Sequence, residues 1–368
     1  MKKSVGIITM HKIYNFGSAL QAYALMRVIC DLGYETELID YQFPNAYHGV
    51  RKKNFIKRLK NWIGRRLSLT QGFATLNAYD RYWKSFFCLS VPYTSPKMLK
   101  ENPPRYDVYV TGSDQVWNTD YTKDDSSFLL AFVKDGKKIA YAPSFSKSTL
   151  DDRYVDMFKT YLSQYDSLSV REESGVELIR NLIQRESSVV LDPTLLLTRD
   201  EWNKVADTEE DHYKGRRYIF LYIQKYSFDP SESIVKLVKT VKERLGLPVV
   251  SFGSMEHVGL SCEVVNGVGP IQFLHLVRNA SYIVTASFHG TAFAINYGIP
   301  FSSMIKSESF NDDRQMSLMS MFKMSDRMVR MDDDMTSLNL SVSFDRANEL
   351  LSYWRQQSKE YLINSLKK

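Results

Sequence analysis

Apolar runs of strand length alternate with helical periodicity along most of the chain. Ser4 to Met10 is one such run; Ser18 to Leu32 carries Leu20, Tyr23, Ala24, Val28 and Ile29 on one face and is stopped by Gly33; Thr36 to Asp40 reads as the next strand. That order is a βαβ unit. Further strands are expected at Asp107 to Thr111, Lys138 to Ala142, Ser167 to Val170 and Val189 to Leu191, with helical patterns between several of them, which predicts a mainly parallel sheet. The segment Asp207 to Arg217 is charged and lacks an apolar face, so the domain boundary is expected there. A second series follows, with strands at Tyr218 to Ile223, Pro248 to Phe252, Tyr282 to Ala286 and Pro300 to Ile305. Its helices are expected at Pro230 to Leu245, Ile271 to Asn279, Thr291 to Tyr297 and Asp312 to Phe322, and a long helix at Ser343 to Leu366 ends the chain. The pattern therefore predicts an α/β protein with an N-terminal domain at 1–206, a C-terminal domain at 217–342, a cleft between them and a C-terminal helix at 343–368. Open α/β sheets bind ligands outside the carboxyl ends of their strands, so the residues that matter lie just after strands.

Composition narrows the function classes. The 368 residues are 44% hydrophobic and 24% charged, an ordinary globular balance that argues against a disordered, collagenous or coiled-coil chain. The three cysteines, Cys30, Cys88 and Cys262, have no C-x-x-C spacing, and the histidines show no paired-ligand spacing, so neither a disulfide scaffold nor a metal site is expected. The apolar N-terminal run stops at His11, too soon for a signal peptide, and a cytoplasmic home is expected. The formal net charge of +6 is local: Arg51 to Arg66 holds eight basic residues and no acidic one, leaving the remainder at −2. Phe55, Ile56, Leu59, Trp62 and Ile63 recur there at helical spacing, the pattern either of an interfacial amphipathic helix on an anionic membrane surface or of a solvated helix covering a core. No nucleic-acid module accompanies it, so no nucleic-acid partner is expected.

Four strand ends carry candidate chemistry. After the first strand, His11 to Ser18 feeds a helix N-terminus, where Asn15 or Ser18 either caps the helix or helps to hold an anion. The run Gly112-Ser113-Asp114-Gln115-Val116-Trp117-Asn118 packs a carboxylate, an amide and an indole into one turn; either Asp114 and Gln115 grip hydroxyls while Trp117 offers a flat face to a sugar ring, or Ser113 or Asp114 caps a helix with Trp117 buried behind it. Arg171 is suited to a bidentate grip on phosphate or carboxylate, with an ion pair to Glu172 or Glu173 as the structural alternative. At Thr285-Ala286-Ser287-Phe288-His289-Gly290-Thr291, a strand end brings His289 to the cleft, Gly290 permits close approach of a ligand and the following helix offers N–H groups to an anion. There is no G-x-G-x-x-G and no G-x-x-x-x-G-K-[ST], which disfavours a dinucleotide site and a P-loop.

The ordered set Asn15-Phe16-Gly17-Ser18-Ala19-Leu20-Gln21, Gly112 to Asn118, Ser169-Val170-Arg171-Glu172, Asp192-Pro193-Thr194 and Ser287-Phe288-His289-Gly290-Thr291 resembles the polysaccharide pyruvyl transferase family, from about residue 4 to residue 325. The resemblance implies two Rossmann-like domains in a GT-B-like arrangement, phosphoenolpyruvate as donor, and a sugar or lipid-linked oligosaccharide acceptor that becomes a cyclic pyruvate ketal in surface polysaccharide synthesis. It carries over an acidic cleft residue onto Asp114, a phosphoenolpyruvate-binding arginine onto Arg171 and a donor-binding histidine onto His289; ketal chemistry then makes His289 the expected acid and Asp114 the expected base, with further donor contacts expected from Ser287, Gly290 and Thr291 and acceptor contacts from Asn15, Gly17, Ser113, Gln115 and Trp117. Better-known members carry arginine two residues before the histidine, where this chain has Ser287; Lys306 and Arg314 are the candidates to supply that charge. Phosphoenolpyruvate is a co-substrate, so no cofactor is implied. A GT-B glycosyltransferase using a nucleotide sugar and a non-catalytic carbohydrate-binding protein are the competing readings.

Overall fold

Strand-forming runs such as Val108–Thr111 and Tyr282–Thr285 are buried along their whole length, as parallel strands covered by helices on both faces must be. A computed structural model of the chain describes residues 2–48, 71–224, 229–306, 313–335 and 338–367. It divides into two units, each built on a parallel sheet.

In the first unit, strands β1 (Ser4–Ile8), β2 (Glu35–Leu38), β3 (Val108–Thr111) and β4 (Lys137–Ala140) form a sheet in the order β2-β1-β3-β4, every pairing parallel. A second parallel pair, β5 (Ser169–Val170) and β6 (Ser188–Val189), continues beyond β4 through a bridge from Ile139 to Ser167. The helix Phe16–Asp31 connects β1 to β2 and is buried nearly all round, with only Arg27, Cys30 and Asp31 exposed. The core runs from Ile8 and Tyr41 through Trp117, Phe128 and Phe145 to Phe158 and Ile179.

In the second unit, β7 (Ile219–Tyr222), β8 (Val249–Ser251), β9 (Glu263–Val264), β10 (Tyr282–Thr285), β11 (Phe301–Ile305) and β12 (Met328–Arg330) form a parallel sheet in the order β12-β11-β10-β7-β8-β9. Its core includes Ile219, Leu237, Val238, Val284 and Met304. The edge strands β9 and β12 were not expected from the sequence, because two or three residues of mixed polarity carry no period.

Three boundaries differ from expectation, the first being that residues 71–82 group with the second unit instead of the N-terminal domain. The division falls between Leu197 and Thr198 rather than at 207–217. The helix Arg199–Ala206 packs on the helix Pro270–Arg278, Trp202 meets Phe293 at 5.3 Å between ring centres, and the charged segment is itself tied down, with Arg278 paired to Asp207 at 2.6 Å and to Asp211 at 2.7 Å. A segment with no apolar face is thus held by ion pairs, which hydropathy cannot register. The C-terminal helix Asp345–Lys367 is not a separate body: its residues from Tyr353 onward belong to the first unit and those before it to the second. Residues 51–66, expected as a basic amphipathic helix, lie outside the described residues. Among the described residues no helix is long and apolar enough to cross a membrane.

Gly6, in β1, has no room for a side chain. A Cβ there would lie 2.2 Å from the Tyr106 ring, which is anchored by its hydroxyl donating to Glu37 at 2.8 Å. Gly6→Ala is therefore expected to lower unfolding free energy by about 1–3 kcal/mol in urea titrations, and to cost almost nothing in a Tyr106→Ala background.

Candidate active site

The first sheet reverses its strand order between β1 and β3: β2 lies on one side of β1, whereas the chain returns on the other side to form β3. Ligands of open α/β sheets bind at such reversals, beyond the carboxyl ends of the two strands. Here those ends are stapled together. Thr9 donates its hydroxyl to Ser113 O at 2.8 Å, and Gln21 Nε2 donates to Thr9 Oγ1 at 3.0 Å. Directly above lies Asp114, 5% exposed, with φ +78° in the left-handed region that costs a non-glycine residue energy but that Asp tolerates better than most. Its Oδ2 accepts from the Ser18 hydroxyl at 2.5 Å and its Oδ1 from Gln115 N at 2.8 Å. Ala142 and Ser146, in the loop after β4, are also left-handed, at +56° and +62°. Such residues gather where the surrounding structure dictates backbone shape, as at ligand sites.

The strand-end loops are joined through buried carboxylates. Asp192 Oδ2 accepts from Arg171 Nη1 at 2.7 Å and from the Ser113 hydroxyl at 3.1 Å, while its Oδ1 accepts from Thr194 N at 2.9 Å and Thr194 Oγ1 at 2.7 Å. Arg171 Nη2 also lies 3.9 Å from Asp114 Oδ1. Glu172, fully buried, accepts through Oε1 from the Ser144 hydroxyl, Phe145 N and Ser146 N. Asp40, past β2, takes hydrogen bonds from His11 Nε2 at 3.2 Å and Lys12 Nζ at 2.7 Å. Burial alone would raise the Asp40 pKa; these two partners outweigh it and hold the carboxyl below the usual range.

Several expected contacts take other roles. Trp117 offers no face to a sugar: it is 1% exposed, donates Nε1–H to Phe128 O at 3.2 Å and packs against Phe145 and Tyr165. Asn15 caps the helix Phe16–Asp31 by accepting Ser18 N at 3.1 Å, and Gly17 is buried in the first turn. Gln115 Oε1 accepts from Asn118 Nδ2 and the Ser146 hydroxyl. Arg171 does form an ion pair, but with Asp192 rather than with Glu172 or Glu173. Asp192 itself had no role in the sequence reading beyond its motif, although an Asp before Pro is the signature of a helix cap with proline in the first turn.

The second sheet reverses between β7 and β10, and His289 lies at that reversal. The helix Phe288–Tyr297 starts three residues earlier than its periodicity indicated, so His289 sits inside its first turn, 7% exposed. Ser287 caps it, accepting Gly290 N at 3.4 Å. Gly290 answers to packing rather than to a ligand: a Cβ there would lie 2.4 Å from Thr285 Oγ1 and 2.9 Å from the Tyr222 ring, while Thr285 is committed to Tyr222 O at 2.7 Å. Thr291 donates to Ser287 O at 3.2 Å and meets Ser303 Oγ at 2.9 Å, and Gln315 Nε2 donates to Thr291 Oγ1 at 2.9 Å. Arg314, beside Gln315 in the helix Asp313–Met321, is buried, whereas Lys306, just past β11, is exposed.

Removing the nearest counter-charge of a buried guanidinium is costly, so Asp192→Ala is expected to destabilise the protein by about 3–5 kcal/mol in chemical denaturation, and an Arg171→Met/Asp192→Leu pair by much less.

No curated protein matches the chain. Among solved structures, a putative UDP-N-acetylglucosamine 2-epimerase from Listeria monocytogenes is similar at TM-score 0.51 and 11% identity, over 99% of this chain and 91% of that one. The UDP-GlcNAc 2-epimerase from Methanocaldococcus jannaschii is similar at TM-score 0.50 and 12% identity, over 100% and 99%. At these identities the likeness establishes the fold, which is GT-B-like. The polysaccharide pyruvyl transferase family matches residues 15–304, a span that holds Asp114, Arg171, Asp192 and His289. The chain belongs to the polysaccharide pyruvyl transferase family.

Proposed function

We propose that the protein moves the enolpyruvyl unit of phosphoenolpyruvate onto a pair of sugar hydroxyls, forming a cyclic pyruvate ketal. The observation that carries this reading is that an acid–base side chain stands at the order reversal of each sheet, Asp114 in one unit and His289 in the other. Both lie within the family match.

In the proposed reaction, His289 as an imidazolium protonates the methylene carbon of phosphoenolpyruvate, which leaves an oxocarbenium-like centre at the adjacent carbon. A sugar hydroxyl attacks that centre as Asp114 takes its proton, phosphate departs with that proton as the C–O bond to it breaks, and a second hydroxyl closes the ring as its proton returns to His289. Arg171 is already engaged by Asp192, so Lys306 and Arg314 are the side chains assigned to the donor's carboxylate and phosphate. Incubation with phosphoenolpyruvate and a panel of glycan acceptors should give products heavier by one pyruvate ketal, with equimolar phosphate release. His289→Ala and Asp114→Asn should each lower turnover by about 10²–10⁴-fold in folded protein. Transfer of a sugar from a nucleotide sugar, with no ketal, would overturn this reading in favour of a glycosyltransferase.

The acceptor is proposed to be lipid-linked, with residues 51–66 bringing the enzyme to an anionic membrane surface, because basic side chains there each contribute on the order of 1 kcal/mol. Binding to vesicles containing anionic lipid should fall as salt rises and disappear when Lys52, Lys53, Lys57, Arg58 and Lys60 are replaced by Glu. Binding unchanged by those replacements would remove the membrane role.

A further inference from the structure

The family match ends at residue 304, yet the most elaborate support of the Asp192–Arg171 pair comes from beyond it. Within the first unit, the end of the C-terminal helix holds the segment that carries Asp192 on both sides. Leu191 N, one residue before Asp192, donates to Ser358 Oγ at 2.9 Å, and Ser358 is 1% exposed. Leu191 O accepts from Tyr141 Oη at 3.1 Å. Asp192 then caps the single helical turn Pro193–Leu196, whose trailing carbonyls meet Arg355: its Nε donates to Leu195 O at 2.7 Å and its Nη2 to Leu197 O at 3.4 Å. One turn further along, Tyr361 donates its hydroxyl to Ala140 O at 2.9 Å, at the end of β4.

A four-residue helix has too few internal hydrogen bonds to hold its own shape. This one is fixed at its N-terminal end by Asp192 and at its C-terminal end by the Arg355 guanidinium, which occupies the carbonyls a helix terminus leaves open. Asp192 has its backbone direction set by these anchors and presents Oδ2 to Arg171 and Ser113. Without them, the carboxylate is free to swing with the turn, and Arg171 then loses the partner that fixes it 3.9 Å from Asp114.

We infer that Arg355 and Ser358 are positioning residues for the reaction proposed above, acting through Leu191 and the 193–196 turn to hold Asp192, and through it Arg171, beside Asp114. The inference rests on that reading for its meaning in catalysis, but its geometry is testable without any substrate. In full-length protein labelled with ¹⁵N-arginine, the Arg171 Nη1–H resonance, assigned through Arg171→Lys, reports the pairing with Asp192. Ser358→Ala and Arg355→Ala should each shift and broaden that resonance, Arg355→Lys should restore part of the original signal, and Gln356→Ala, on the exposed side of the same helix, should leave it unchanged. Where ketal formation has been measured, Ser358→Ala should lower kcat at least tenfold with little change in KM for phosphoenolpyruvate, and Arg355→Lys should recover much of the loss suffered by Arg355→Ala. If Arg355→Ala fails to fold, Ser358→Ala alone decides. An Arg171 resonance that is the same in Ser358→Ala as in the unaltered protein overturns the inference. Absence of ketal formation by the unaltered protein overturns the proposed function instead, and the resonance still judges the role of the helix.

Discussion

One buried carboxylate organises the carboxyl edge of the first sheet. Asp192 accepts hydrogen bonds twice from its own turn, from the loop after β3 and from the guanidinium after β5. A charge this deep is tolerated only when its partners are themselves fixed, because desolvation of both ions must be offset by short, well-directed contacts. Asp192 and Arg171 are therefore constrained from outside the pair, by Ser113, Thr194, Ser358 and Arg355. The strained backbone at Asp114 follows from the same economy of space: Ser144 N donates to Asp114 O at 2.9 Å, and the Ser18 hydroxyl takes the carboxylate, so the residue is held in its left-handed conformation from two sides.

The second sheet solves a similar problem with hydroxyls rather than charges. Thr285, Ser287, Thr291 and Ser303 link the end of β10, the first turn carrying His289 and the middle of β11, and Gln315 attaches the helix that carries Arg314. Small hydroxyl side chains let the helix Phe288–Tyr297 approach β10 so closely that residue 290 must be glycine. His289 is thereby fixed by packing beneath it, which suits a side chain whose role depends on where it presents its ring nitrogens.

Much of this was legible in the sequence. Apolar runs located both sheets, and their alternation with helical periods required parallel strands, because parallel neighbours need long crossovers. The strand ends could be read as candidate sites before any contact was known, and Asp114, Arg171 and His289 do stand there. Trp117 stays open in the sequence between platform and core, because an aromatic residue near a strand end serves equally as either, and only the Phe128 carbonyl and the Phe145 and Tyr165 rings decide for core. Gly290 was assigned to ligand approach when the obstruction was Thr285.

By itself, then, the sequence determined the α/β class, the parallel strands and the identity of the groups able to move protons, since these follow from local periodicity and side-chain chemistry. Which strands meet at each order reversal was decided only by tertiary structure, as were the pairing of Arg171 with Asp192 instead of its neighbour Glu172, and the reach of Ser358 back to Leu191 across 167 positions. The reason is physical. Helix and strand periods arise from interactions a few residues apart, whereas a buried charge or a helix end selects its partner by proximity in the folded chain, and that proximity has no counterpart in local sequence.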